Sequence, residues 1–332
     1  SKITKAVSSN NYTRIDGTLR FDIDPTAKGV TPLNVHNKLS FGPDAQIAVS
    51  RGNLAQAAEL QKKAMSYGTP LDRDSRSSFV SSVTSHASSL SRLAPEKRND
   101  ILEYAIESAK KNVELNPRDT MMQLELSRIY FLAARFRQND QEVYKKYTSK
   151  ALEAINRAID SSPERIPPYF IKARILEERG EIQKSINTLK YAASLNENYY
   201  DTHCHLARMY ITNEQEEKGY GRLDKCIGKG GAGTLDNEYV IKKGINHYLE
   251  QEDTQKLMKL YEVLAQKNKK DGQIWFKLAQ LYAAEGHTEK ARQAAQRASS
   301  VEPSLSSQVD TFMERLKEGD EYRFIPPEEK EE

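Results

Sequence analysis

The sequence predicts an all-α solenoid, a right-handed superhelix of about seven stacked helix pairs that follows a short extended arm. Two observations predict this fold. Apolar residues recur at helical spacing in paired stripes separated by turn residues. In addition, a large apolar residue recurs at intervals close to 34 residues between Tyr130 and Tyr282. Periods of about 20 to 50 residues are typical of repeat arrays, in which each unit buries its apolar face against its neighbours.

The clearest helix pair lies near the C-terminus. One apolar stripe precedes a turn at Gly286, a second stripe of small residues follows it, and Pro303 ends the pair; the stripe residues are Trp275, Leu278, Ala279, Tyr282, Ala291, Ala295 and Ala298. This order of Trp, Leu, Tyr, Gly, Ala and Pro resembles the tetratricopeptide repeat. The resemblance implies antiparallel A and B helices in each pair. It also implies a concave surface, lined by the A helices, that suits a bound peptide.

The period continues upstream with two insertions. Tyr282, Tyr248, Tyr210, Leu176 and Tyr130 are separated by 34, 38, 34 and 46 residues. The extra residues fall in the Gly-rich stretch 228–233 and between 134 and 148. We therefore expect these five residues to occupy equivalent A-helix positions that point towards the B helix. The solenoid is placed at 38–305, with a capping helix at 306–318.

The segments outside the solenoid have a different pattern. Residues 1–37 are predicted as an extended arm, because residues 13–23 alternate with a period of two, as in a half-buried strand. Its apolar members are Ile15, Leu19, Phe21 and Ile23. The end of the chain, 319–332, is an acidic tail that contains Pro326 and Pro327.

A narrower resemblance rests on four segments in order: 65–70, 74–83, 116–119 and 312–319. They are similar to the C-terminal tetratricopeptide region of bacterial O-antigen-ligase-like proteins. In that family the glycosyl-transferring chemistry belongs to a membrane part that this sequence does not contain. The resemblance implies an exported bacterial domain without catalysis of its own.

Composition excludes several classes of protein. The sequence has no apolar run of about 18 residues, so direct membrane insertion is not expected. Its 50 basic and 47 acidic side chains leave a net charge of +3, which argues against a nucleic-acid partner. We find no catalytic set, and we expect a protein that is not an enzyme and binds no cofactor. Lys229 comes too early in 228–234, between helical flanks, for a phosphate-binding loop.

Histidines and cysteines within one or two repeats raise the question of a metal site. They are His203, Cys204, His205, Cys226 and His247. The residues His203 and His205 point to different faces of a helix, and no Cys-x-x-Cys pair occurs, so no metal is predicted. Cys204 and Cys226 fall on the A and B helices of one repeat. A disulfide and two small buried residues are both open, and we favour the buried residues.

Three functions remain open for such a scaffold. The first is self-assembly of an exported surface filament through the arm, since unpaired strand edges seek partners. Charge supports head-to-tail contacts, because residues 1–95 carry 12 basic and 7 acidic side chains, whereas residues 314–332 carry 4 and 8. The second is a monomeric adaptor that holds a partner peptide near four tyrosines at repeat starts: Tyr169, Tyr199, Tyr200 and Tyr239. The third is an accessory domain of a glycan enzyme.

The filament hypothesis places the chain outside the cell or on its surface, with the cytoplasm as the alternative. An exported chain opens the question of glycosylation. Asn11 begins an Asn-Tyr-Thr acceptor pattern. Nine serines between Ser75 and Ser91 crowd one predicted helix. They indicate either an exposed polar face or sites for O-linked sugar.

Overall fold

The computed structural model describes residues 12–15, 18–21, 53–65 and 72–318. They are almost entirely helical, and the helices alternate with short turns, so the prediction of an all-α fold built from helix pairs is confirmed. The chain divides into two compact units, residues 1–185 and residues 186–332. Among the described helices, none combines the length and the apolar character needed to cross a bilayer.

The arm contains two strands where one was expected. Strands β1 (Tyr12–Ile15) and β2 (Thr18–Phe21) form an antiparallel pair in which Ile15 lies opposite Thr18. The prediction of a single strand over 13–23 is therefore wrong. The two residues between the strands are Asp and Gly, the pair that favours a two-residue hairpin turn. Because opposite positions share a face, this register separates position 15 from positions 19 and 21. Ile23 lies outside the described residues, as do Asn11 and the tail from residue 319.

The described residues of the first unit form seven complete helices. They are α1 (Leu54–Met65), α2 (Asp72–Ser85), α3 (Ala87–Leu90), α4 (Pro95–Leu115), α5 (Thr120–Arg135), α6 (Gln141–Ser161) and α7 (Pro167–Glu178). Helix α8 (Ile182–Leu195) begins in this unit. Side-chain caps start several helices: Asp119 accepts hydrogen bonds from the backbone N–H groups of Met121 and Met122, and Asp140 accepts one from that of Val143. Pro95 and Pro167 occupy first-turn positions, where no N–H is needed.

The second unit continues the alternation. Its helices are α9 (Tyr200–Ile211), α10 (Glu216–Gly228), α11 (Glu238–Glu250), α12 (Thr254–Lys267), α13 (Gly272–Ala284), α14 (Thr288–Val301) and α15 (Ser306–Glu318). A short 3-10 helix, Gly231–Thr234, takes up the four extra residues of the 38-residue interval. In the last pair, Ala279, Ala291 and Ala298 are fully buried, which lets α13 and α14 approach closely.

The period residues occupy equivalent positions, as predicted. Tyr130, Leu176, Tyr210, Tyr248 and Tyr282 all lie in A helices: α5, α7, α9, α11 and α13. Two of them make the same contacts. Lys256 of the following B helix lies over the Tyr248 ring at 4.9 Å, and Lys290 lies over the Tyr282 ring at 5.4 Å. Their hydroxyls reach back to the preceding B helix, Tyr248 to Asp224 and Tyr282 to Glu262.

The turn after four A helices has a shared backbone geometry. Gly180, Glu214, Glu252 and Gly286 each lie four residues after the period residue, and each has a positive φ between 54° and 76°. A residue with no Cβ adopts this left-handed conformation without strain, whereas a glutamate does so at a cost. The same turn thus recurs even where the sequence lacks the glycine.

Candidate functional site

Helix α5 exposes a single narrow stripe. Most of its side chains are buried, but Met121, Glu125 and Arg128 follow one another at spacings of four and three residues and remain open or half-open to solvent. Met121 is 39% exposed, which is high for a large apolar side chain in a helix otherwise packed on both sides. This stripe belongs to an A helix, the kind of helix that lines the binding surface of repeat scaffolds.

The next A helix of this unit presents a matching stripe. Arg174 and Glu178 of α7 are exposed and one helical turn apart. Two contacts join them to α5: Arg135 Nε lies 3.4 Å from Glu178 Oε1, and the Arg174 guanidinium lies 6.0 Å from the centre of the Phe131 ring. We call the open surface formed by Met121, Glu125, Arg128, Arg174 and Glu178 the α5–α7 face.

Helix α2 borders this face and is fixed by polar contacts. Arg73 Nη2 donates to Asp119 Oδ2 at 2.6 Å, and the Ser77 hydroxyl donates to Glu125 Oε2 at 3.0 Å. Asn112 of α4 donates to Ser77 Oγ at 3.1 Å and accepts from Arg76 Nε at 2.6 Å. Such a connected network holds Glu125 in one orientation. It also shows that the serine-rich helix is not simply an exposed polar face.

The carboxylates of the α5–α7 face are electrostatically perturbed. Burial raises the pKa of Glu125, although the Ser77 hydroxyl and the nearby Arg128 act in the opposite direction. Burial likewise raises the pKa of Glu178, against the lowering effect of Arg135 and Arg174. Desolvated carboxylates beside cations on an open surface are typical of functional sites.

Two arginines of the α5–α7 face have no ion-pair partner in the described part of their unit. Within residues 72–185, neither Arg128 nor Arg174 has a carboxylate oxygen within 4.0 Å. Both are exposed, and both lie two residues before a period residue, Tyr130 and Leu176, so they occupy the same position on neighbouring A helices. Nothing in the residue pattern singled out the two arginines in advance, although the 46-residue spacing that relates Tyr130 and Leu176 also relates them.

The four tyrosines expected in a groove differ in their exposure and contacts. Tyr169 is buried, and its hydroxyl donates to the Pro163 carbonyl at 2.6 Å. Tyr199 and Tyr200 stack on each other at the start of α9, with ring centres 6.3 Å apart. Tyr239, at the start of α11, is 51% exposed and lies under the ammonium group of Lys243. The last three belong to the second unit, whereas Tyr169 belongs to the first.

The cysteines and His203 have structural positions. Cys204 and Cys226 form a disulfide with Cα atoms 4.9 Å apart, so the preference for two separate buried thiols is wrong. An A helix and its own B helix approach closely enough for this bond. His203 is buried; its Nε2–H donates to the Glu197 carbonyl and its Nδ1 accepts from Arg222. In the part of the chain that the structure describes, no three metal-ligating side chains cluster.

The comparisons with protein families give two matches. Residues 96–237 match the family "N-terminal acetyltransferase A, auxiliary subunit", and residues 272–305 match the tetratricopeptide repeat. The second match confirms the repeat expected around Trp275. Helix-pair repeats of this kind form scaffolds for protein–protein interaction. Nothing in the comparisons supports the resemblance to O-antigen-ligase-like proteins.

The first match corrects the expectation that the chain is not an enzyme. The matched family is a subunit of an acetyltransferase, which is an enzyme. The expectation of a protein that is not an enzyme is therefore replaced by similarity, over residues 96–237, to the auxiliary subunit of an acetyltransferase. The match covers less than half of the 332 residues.

Several solved structures match the chain at low sequence identity. A thermophilic TPR protein of Thermus thermophilus has a TM-score of 0.44 and 18% identity, covering 60% of this chain and 93% of that one. For pilF of Pseudomonas aeruginosa the TM-score is 0.42 and the identity 15%, with 67% of this chain and 87% of that one covered. For MamA of Desulfovibrio magneticus the TM-score is 0.40 and the identity 13%, with 58% of this chain and 94% of that one covered. No curated protein matches the sequence significantly.

Proposed function

We propose that the chain is a scaffold that holds an extended, acidic segment of a partner protein on the α5–α7 face. The observation that carries this proposal is the pair Arg128 and Arg174. These are exposed cations at the same position of neighbouring A helices, and no carboxylate in the described part of their unit pairs with them. Guanidinium groups bind carboxylates through two parallel hydrogen bonds, which gives both affinity and direction.

The spacing of the face suits an extended chain. Packed helices lie about 8–10 Å apart, and a chain extended as polyproline II rises about 3.1 Å per residue with three residues per turn, so every third side chain lies on one face. Arginines on adjacent helices therefore match acidic side chains about three residues apart. Met121 adds an apolar contact at the end of the stripe, and Glu125 and Glu178 are placed to accept hydrogen bonds from the bound backbone. The family match supports a scaffold role, because an auxiliary subunit acts together with other subunits.

Anisotropy titrations with labelled extended peptides test this proposal. One peptide carries Asp or Glu at every third position, and its partner carries Asn or Gln there. Arg128→Ala and Arg174→Ala should each weaken binding of the acidic peptide about two- to fivefold, the range of exposed ion pairs. The matched control is Arg157→Ala on the B helix α6, where the arginine is exposed and already paired with Glu153. Equal binding by all four proteins, or by both peptides, contradicts the proposal.

Self-assembly through the arm remains a second proposal, and the β1–β2 pair favours it. In the described sheet each strand has only one partner, so each has an outer edge without a strand beside it. An isolated two-stranded pair is marginally stable in water, and pairing with another copy would stabilise it. Deleting residues 1–36 should abolish high-mass species in sedimentation velocity and leave the helical circular dichroism intact. Unchanged assembly after the deletion, or a monomeric full chain at micromolar concentration, contradicts this proposal.

An extracellular or cell-surface location is also proposed, with the cytoplasm as the alternative. The Cys204–Cys226 disulfide supports it, because disulfides form and persist in oxidising compartments. Rapid alkylation of the denatured protein from its native source should leave both cysteines unlabelled. Full labelling of both cysteines favours the cytoplasm.

A further inference from the structure

The second unit contains a cleft of about 640 Å³. Helices α12 and α13 form its two long walls, and the 3-10 helix Gly231–Thr234 closes one side. Apolar side chains from both helices line it: Val263, Trp275, Leu278 and Tyr282. Concave, largely apolar surfaces with a few polar groups are the usual form of binding sites.

The wall of the cleft is created by the insertion in the repeat. Gly231 is packed so tightly that a Cβ there would lie 2.6 Å from Cys204 Sγ and 2.7 Å from the Tyr200 ring. Gly230 has a φ of 85°, which turns the chain out of α10. Gly233 faces open space, since a Cβ there would meet no atom within 4 Å. Gly231 therefore anchors the insertion against the disulfide, and Gly233 lies at the open edge of the cleft.

The polar groups of the two aromatic side chains in the cleft are already hydrogen-bonded. The Tyr282 hydroxyl donates to Glu262 Oε1 at 2.7 Å, and Trp275 Nε1–H donates to the Lys269 carbonyl at 3.2 Å. Glu262 is the one carboxylate among the lining residues, and this hydrogen bond occupies one of its oxygens. The floor can thus receive an apolar side chain without leaving these groups unpaired.

Two lysines supply positive charge at the rim. Lys259 and Lys267 line the cleft itself, whereas Lys269 and Lys270 lie beyond α12 beside an adjoining hollow that Asp271 and Glu302 also line. Lys267 Nζ donates to the Asp236 carbonyl at 3.1 Å, a bond that leaves its charge uncompensated. In the described second unit, no carboxylate lies within 4.0 Å of the Lys259 ammonium group. An apolar floor with a cationic rim is complementary to an apolar side chain flanked by acidic residues.

We propose that this cleft binds an acidic peptide segment of a partner protein by inserting an aromatic or aliphatic side chain between α12 and α13, with the flanking carboxylates on Lys259 and Lys267. The site lies between the B helix of one pair and the A helix of the next. It belongs to the second unit, whereas the α5–α7 face belongs to the first. A nucleic acid fits less well, because a few lysines in a chain of net charge +3 do not make an extended basic track.

The sequence supplies an intrinsic probe for this site. Trp275 is the one tryptophan of the chain, and it lines the cleft. A synthetic peptide with a Phe-Ile pair flanked by glutamates has no tryptophan, so a saturable change in Trp275 emission on the full chain reports its binding. The glutamine version of the peptide and Lys259→Ala should each weaken binding about two- to fivefold.

A glycine pair provides the blocking variant and its control. Gly233→Phe places a ring at the open edge of the cleft and should reduce binding at least about tenfold. Gly221→Phe, at an exposed position of α10 where a Cβ also meets nothing within 4 Å, should bind like the parent chain. Circular dichroism verifies that both variants are folded, and if Gly233→Phe is not, the Lys259→Ala and glutamine-peptide comparisons decide.

The results that overturn the proposal are specific. They are the absence of a saturable emission change at millimolar peptide, equal binding of the glutamate and glutamine peptides, and tighter binding of a single-stranded oligonucleotide than of the peptide. Arg128→Ala should leave the Trp275 titration unchanged. A change there would show that the signal comes from the α5–α7 face, which would also contradict this proposal.

Discussion

Glu214 occupies the left-handed turn position that Gly180 occupies one repeat earlier. Each lies four residues after its period residue, Tyr210 and Leu176, and their φ angles are 60° and 76°. A Cβ at this φ costs about 1–2 kcal/mol per residue relative to right-handed backbone, whereas glycine adopts it freely. The turn geometry is thus set by the packing of the two helices, and the side chain at this position adapts to it.

The first prediction follows from this turn. Glu214→Gly should raise the free energy of unfolding by about 0.5–1 kcal/mol, because the strain relieved exceeds the added backbone entropy of the unfolded chain. Gly180→Ala should lower it by about 1 kcal/mol for the converse reason. Chemical denaturation measures both. If Glu214→Gly lowers the free energy of unfolding and Gly180→Ala raises it, the positive φ is not a source of strain here.

The second prediction concerns the seam between α13 and α14. Ala291 is fully buried among Ala279, Ala295 and Ala298. Ala291→Leu should lower the free energy of unfolding by about 1–3 kcal/mol through overpacking. Gln293→Leu, an exposed position on the same helix, is the matched control. A thermal melt of Ala291→Leu that coincides with that of the parent would show that the seam has room to spare.

The third prediction concerns the disulfide. Cys204 and Cys226 are 22 residues apart in sequence, and closing a loop of that length in the unfolded chain stabilises a protein by about 3 kcal/mol. Cys204→Ala/Cys226→Ala should therefore unfold at clearly lower denaturant concentration than the oxidised parent. The reduced parent should resemble the double variant. Coincident curves for the oxidised parent and the variant would argue that the bond contributes nothing to stability.

The fourth prediction is a pH dependence. Burial lowers the pKa of His203 from its ordinary value of 6.5, and Arg222, Lys225 and Lys229 lower it further. The unfolded chain thus takes up the proton first as the pH falls. Stability is full above 6.5 and is lost as the pH falls from 6.5 through the folded pKa. His203→Gln, which keeps a donor for the Glu197 carbonyl, should lose less melting temperature than the parent between about pH 7.5 and pH 5.5. An equal loss would show that other groups control the dependence.

Much of the helical architecture is readable from the sequence because the repeat imposes it many times over. The residues from Tyr130 to Tyr282 fix the A helices, and the insertion at 228–233 is visible as a longer interval. The hairpin was missed, because the alternation over 13–23 suggests one strand, although Asp16-Gly17 between the two strands is a hairpin-turn signal. The disulfide is not readable from the sequence, because a separation of 22 residues gives no distance until the two helices are packed.

The candidate sites are harder to predict than the fold. Aromatic side chains at repeat starts draw attention to Tyr169, but a hydrogen-bond partner for its hydroxyl, the Pro163 carbonyl, explains that residue. Arg128 and Arg174 are ordinary charged residues in the sequence. They stand out only once the structure shows that several other arginines of their unit have carboxylate partners. The cleft beside Trp275 depends on the path of the inserted loop. That path cannot be predicted from local preference, because glycines adopt many backbone conformations.

The central claim is that Arg174 and its counterpart Arg128 bind acidic side chains of a partner segment on the α5–α7 face. A charge swap tests it most directly. The variant Arg174→Glu should no longer bind the acidic peptide, and it should bind a peptide in which the facing Glu is changed to Lys. The parent chain should show the reverse preference. The Lys can be placed at each acidic position of the peptide in turn. If none of these Lys peptides binds the folded Arg174→Glu variant, the account is contradicted.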